Sequence, residues 1–131
     1  MTDALCVFGG LSDREGETRP WGELSPVGVV PNGDGRKYYA PGQVSEGWCA
    51  LRCERSGDWL RMSVDAAIVP YLGIWIDEGM VNDRNAIALE PSIGYYDRLE
   101  RAIANGSAGV VQPGDVCEWT LEVRLGSGQT G

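Results

Sequence analysis

The sequence predicts an all-β protein, a β-sandwich with one short helix, and three observations carry that reading. Apolar and polar residues alternate with period two through residues 48–54, 59–65 and 117–125, which is the mark of half-buried strands. Glycine and proline occupy 19 and 7 of the 131 positions, enough turn punctuation for a chain of many hairpins. Helical spacing is confined to one stretch, residues 97–106.

Taken in order, residues 1–35 are poorly periodic, broken by Gly9–Gly10, Arg19–Pro20, Pro26 and the PNGDG cluster at 31–35. Val27, Val29 and Val30 suggest one short strand, and RKYYA at 36–40 a second, closed by Pro41–Gly42. In residues 48–54, Cys49, Leu51 and Cys53 alternate with Trp48, Ala50 and Arg52. In residues 59–65, Leu60, Met62 and Val64 alternate with Trp59, Arg61, Ser63 and Asp65. Ser56–Gly57–Asp58 between them is hairpin chemistry, so the pair is expected to be antiparallel. Residues 71–77 are β-branched and aromatic and read as a strand. A polar loop over 78–84 leads to another strand at 85–90, expected to stop at Pro91, which cannot donate to a ladder. Asp97 and Glu100 form a capping box before LERAIA. Leu99, Ala102 and Ile103 give that helix its apolar stripe, and Asn105–Gly106 its C-cap. Gln112–Pro113–Gly114–Asp115 has the residues of a type II turn. In the last strand Cys117, Trp119, Leu121, Val123 and Leu125 are expected to face a core, and Glu118, Thr120, Glu122 and Arg124 water. Residues 126–131 are expected to be a loose tail.

One domain is the expectation for this length, large enough to bury a core without disulfides or metals. Nineteen acidic against 11 basic residues leave a net charge of −8. That balance repels nucleic-acid phosphates and anionic lipid and favours a neutral ligand or a cation. No long uncharged apolar run offers a membrane span. The first residues lack the basic start and apolar core of a secretory signal, so a cytoplasmic location is expected. The four cysteines, Cys6, Cys49, Cys53 and Cys117, have no zinc-site spacing and no histidine beside them. Cys49 and Cys53 would stand about 13 Å apart along a strand, beyond disulfide reach. The expectation is small buried hydrophobes in a reducing compartment. Asp77, Glu78, Asn82, Asp83 and Asn85 form an oxygen-rich cluster, but without the spacing of a calcium loop; a solvated acidic loop is the expected state, and no metal or other cofactor is implied.

The order of motifs says more. SEGW at 45–48 precedes the strand pair; PYLGIWIDEG at 70–79 and IALEP at 87–91 follow. A tyrosine-rich turn, the short helix, PGD at 113–115 and CEWTLEVRL at 117–125 close the series. Over residues 40–125 this resembles the distal half of a galactose mutarotase-like domain of the aldose 1-epimerase superfamily. The resemblance implies half of a supersandwich, an aldose sugar as ligand, and anomer interconversion with a glutamate at the end of a late strand as general base. Glu90 matches that position. The family's acid partner is a histidine, and this chain has none; Tyr95, Tyr96 and Asp77 are the nearest substitutes in sequence. Ala88 and Ala86, two and four residues before Glu90, would leave room for a sugar ring, with Ile87 and Leu89 turned toward a core.

Trp75, Tyr95, Tyr96 and Trp48 are the candidates to stack on a sugar face, with Asp77 and Asn82 as hydroxyl partners. Each also has a plainer reading: core or interface packing for the aromatic residues, favoured outright for Trp59 and Trp119, and an ion pair of Glu90 with Arg84 or Arg98. A half-sandwich leaves sheet edges and an apolar face open. A two-fold homodimer is therefore expected. The alternative to a sugar-handling protein is a non-catalytic half-domain that oligomerises or completes a separate N-terminal half.

Overall fold

In the computed structural model, residues 5–8, 16–24, 27–95 and 98–128 are described. Eight strands and two short helices follow in the order β1 (Leu5–Phe8), β2 (Thr18–Pro20), α1 (Trp21–Leu24), β3 (Asp34–Tyr39), β4 (Trp48–Arg52), β5 (Asp58–Ser63), β6 (Tyr71–Glu78), β7 (Asn85–Ser92), α2 (Leu99–Ala104) and β8 (Glu122–Ser127). They make two antiparallel sheets, one of five strands in the order β2-β1-β3-β6-β7 and one of three in the order β4-β5-β8. The all-β architecture expected from the sequence is the one found.

The periodic segments fold as their patterns dictate. β4 and β5 pair from Trp48 opposite Ser63 to Arg52 opposite Trp59, and the turn between them closes with the Gly57 N–H donating to the Cys53 carbonyl at 2.8 Å. β6 lies between β3 and β7 and is buried on both faces, which explains its nearly continuous run of apolar and aromatic residues. On one face, Tyr38, Ile74 and Ile76 form a core against which Trp21, Val27, Leu72, Ile87 and Leu89 pack. On the other, Tyr39, Tyr71 and Tyr95 make a second cluster. A shallow crevice with room for about one water lies between the two sheets and is lined by Cys49 and Met62 on one side and Val69, Tyr71 and Pro91 on the other.

Several expectations are corrected. β1, β2 and α1 fall in the stretch that lacked periodicity, while Val27, Val29 and Val30 form no strand. Val27 packs on the core and the other two point to solvent. β7 continues through Pro91 to Ser92; it is an edge strand, and an edge tolerates a missing donor. Of the expected loose tail at 126–131, Gly126 and Ser127 belong instead to β8 and the Gly128 N–H bonds to the Gly57 carbonyl at 3.0 Å; 129–131 lie outside the described residues. Of the expected helix stripe only Ala102 is buried, with Leu99 and Ile103 exposed. The N-cap residue is Arg98, one later than expected, and no side chain caps the helix, so the Asp97–Glu100 capping box does not form there; Asp97 itself lies outside the described residues. The C-cap forms as expected: Gly106 takes φ 65°, its N–H bonds to Ile103 and that of Ser107 to Ala102, the two bonds of a Schellman motif. Cys53 and Cys117 are exposed rather than buried, and Cys49 is partly covered; burial pushes its thiol up to about 11. The row Trp119, Leu121, Val123, Leu125 faces no core, and all four are exposed.

Gly47 extends the β4–β5 ladder one step past the Trp48–Ser63 pair. Its carbonyl accepts from the Val64 N–H at 2.8 Å, and a Cβ at this position would stand 2.1 Å from the Val64 carbonyl oxygen. The obstacle is backbone, so it cannot swing away. Gly47→Ala is expected to cost about 1–3 kcal/mol, read as a lower urea midpoint at unchanged slope. An unchanged midpoint would contradict this close approach.

Candidate functional site

Side chains alternate across a sheet, so the register of β3, β6 and β7 decides which of them share a face. Lys37, Trp75 and Ala88 form one row across the three strands; Tyr39, Gly73 and Glu90 form the next; Gly35, Asp77 and Ala86 form the third. All nine lie on the face opposite Tyr38, Ile74, Ile76, Ile87 and Leu89. The expected placement of Ala86, Ala88 and Glu90 on one side, with Ile87 and Leu89 turned into a core, is found.

Glu90 forms an ion pair with the Lys37 ammonium, not with Arg84 or Arg98, which stand beside Asp83 and Glu100. The Lys37 side chain is 10% exposed and that of Glu90 40%. The carboxylate thus meets solvent while the ammonium backs it from within the sheet. Lys37 Nζ also stands 5.6 Å from the centre of the Tyr39 ring, close enough for a cation–π attraction. Gly73 makes this crowding possible, because a Cβ there would stand 3.1 Å from Tyr39 Cε1 and 3.2 Å from Glu90 Oε2.

Tyr95 is buried next to this group. Its ring meets Tyr39 edge-on at 5.6 Å and tilts against Tyr71 at 5.3 Å. Its backbone N–H bonds to the Ser107 carbonyl at 3.1 Å, so the loop after α2 holds it in place. Trp75 is half-buried in the Lys37–Ala88 row. Trp48 lies instead on the three-stranded sheet, under the Arg61 guanidinium at 4.5 Å. Tyr96 lies outside the described residues.

Asp77 and Asn82 are engaged with each other and with the β6–β7 loop. Asp77 Oδ1 accepts from the N–H groups of Gly79, Met80 and Val81 at 3.1, 2.7 and 3.2 Å. Oδ2 accepts from the Asn82 N–H at 3.3 Å and its side-chain amide at 3.1 Å. Burial pushes this carboxyl up, but the N–H donors of Val81, Met80, Asn82 and Gly79 outweigh it and leave it below its ordinary value of 3.8. The neighbouring Glu78 faces the other way. Its Oε1 accepts from the Gly28 N–H at 2.8 Å and Oε2 pairs with Arg36. Among the described residues no group of three or more acidic or cysteine side chains is placed to hold a metal ion.

No family model matches the chain, and no curated protein or solved structure matches it either. No helix among the described residues is long and apolar enough to cross a membrane.

Lys37 is the residue that sequence reasoning missed. The signal was the alternation within RKYYA, which puts Lys37 on the side of Tyr39. Its link to Glu90 became visible only with the register through β6. Asp77 also yields a test. A depressed carboxyl stabilises the fold above its unfolded value, and that contribution is lost as pH falls through the folded value. The denaturant midpoint is expected to drop as pH falls below about 4, and to drop less in Asp77→Asn. Equal pH dependence in both proteins would contradict the depressed carboxyl.

Proposed function

We propose that this chain is an aldose-binding, aldose 1-epimerase-like protein that interconverts sugar anomers at the Glu90 face. The observation that carries the reading is the Lys37–Glu90 pair, set beside Trp75 and two alanines in one face of the sheet. The motif order supports it, as does the all-β architecture. Trp75 offers a ring to the apolar C–H face of a pyranose, and Ala86 and Ala88 leave space above the strand.

Mutarotation requires a base for the anomeric hydroxyl and an acid for the ring oxygen, each worth roughly 10²–10⁴-fold when positioned. Glu90 takes the proton of the anomeric hydroxyl. The bond between the anomeric carbon and the ring oxygen breaks, and the Lys37 ammonium protonates that oxygen. The open aldehyde rotates and recloses by the reverse steps. On reclosure protonated Glu90 returns its proton to the aldehyde oxygen and the Lys37 amine takes back the proton of the ring hydroxyl, so the pair resets without solvent. Lys37 thereby fills the place that histidine holds in the family the motifs resemble. Both reacting oxygens sit on the same anomeric carbon, so an acid and a base in mutual contact can serve them together. We place the protein in the cytoplasm, where its free thiols stay reduced.

A second reading, a non-catalytic half-domain that joins another chain, is favoured by the uncovered apolar row of residues 119–125. NMR of the purified chain with glucose and galactose separates the two. Anomer exchange above the buffer rate is expected, with Glu90→Gln and Lys37→Met each slowing it by roughly 10²-fold or more. Saturation transfer to the sugar without exchange would reduce the protein to a binder. Neither signal would favour the half-domain.

A further inference from the structure

We propose that the chain forms a two-fold dimer through the outer edge of β8. The edge and the preceding residues 116–121 would pair antiparallel with the same stretch of a second copy, in the register that sets Glu118 opposite Arg124. β5 occupies one side of β8 over Glu122–Ser127, and no described residue pairs with the other. Residues 116–121 continue the alternation of β8, yet make no backbone hydrogen bond to any described residue. Trp119, Leu121, Val123 and Leu125 are 44, 40, 46 and 73% exposed. An open row of backbone donors and acceptors therefore coincides with an open row of apolar side chains, which is the condition under which edges associate.

The pattern of side chains selects the second copy and the register. A two-fold axis through Leu121 sets Cys117 opposite Leu125, Trp119 opposite Val123, and Leu121 opposite its own counterpart. On the other face it sets Glu118 opposite Arg124 and Thr120 opposite Glu122. Every apolar residue then meets an apolar one, and symmetry forms the Glu118–Arg124 pair twice. Opposite charges directly across a ladder stabilise it, and like charges destabilise it. Other axes fit less well. Through Thr120, Glu118 would face Glu122; through Glu122, that carboxylate would face itself; through Val123, Trp119 would face Ser127. An axis between residues would set apolar side chains against polar ones. Glu118 and Arg124 are both exposed, and the Arg124–Glu122 contact within the strand can exchange for the new pair at little cost.

The contact uses the three-stranded sheet, whereas Glu90 and Lys37 lie on the other. Association and anomer exchange are thus independent readouts. Sedimentation of the full chain at about 0.15 M salt is expected to show a concentration-dependent dimer. Glu118→Arg should raise its dissociation constant by about tenfold or more, and Glu118→Arg combined with Arg124→Glu should restore it. Leu121→Cys should form a disulfide between positions 121 of two copies, identified by mass spectrometry, because residues facing each other across a ladder stand within disulfide reach. A monomeric wild type, a dimer indifferent to Glu118→Arg, or a dimer without the 121–121 disulfide would each overturn the proposal. A monomer would mean that a different chain covers this edge.

Discussion

The register of β6 is the constraint on which the other features depend. β6 pairs with β7 along its whole length and with β3 over six of its eight residues, and both of its faces are buried. A slip of one residue would turn Trp75 and Asp77 into the core and bring Ile74 and Ile76 out on the other side. Two adjacent carboxylates pin the strand at its end. Asp77 gathers the loop that follows, and Glu78 holds Gly28 and Arg36 from the opposite face. Its carbonyl also receives the N–H groups of Asn32 and Gly33. Because neighbours in a strand point in opposite directions, this dipeptide clamps two distant loops at one level of the sheet.

From that register the chemistry of the Glu90 face follows. Gly73 lies between Tyr39 and Glu90 across the strands, and its missing side chain lets a lysine one row away reach the carboxylate. The result is a pair with no net charge in a chain that carries −8.

What the sequence made legible was what repeats. β4, β5, β6 and β7 were visible because side chains alternate within them and turn residues bound them, and α2 because apolar residues recur at helical spacing and Asn105–Gly106 closes it. β1 and β2 are too short to alternate, and they owe their place to pairing with β3 and with each other. The valines at 27–30 carried strand propensity without a partner, and propensity alone does not make a ladder. The row in 117–125 had a correct period but no core to face, because period reports that a strand has two sides and not what covers them. Lys37 was hidden for a related reason: its partner is more than 50 residues away, and only pairing through an intermediate strand brings them together.

The hydrogen bond from Tyr95 to the Ser107 carbonyl has a thermal consequence. Ser107 is held in turn by the end of α2, a helix of six residues that buries little besides Ala102. So short a helix is marginal without packing, and segments with few buried contacts open before a domain melts. As α2 frays on warming, Tyr95 loses its anchor, and the ring stack flanking Glu90 loosens while the five-stranded sheet is still intact. The order of the Glu90 face on warming is then tied to α2 rather than to the sheet that carries it.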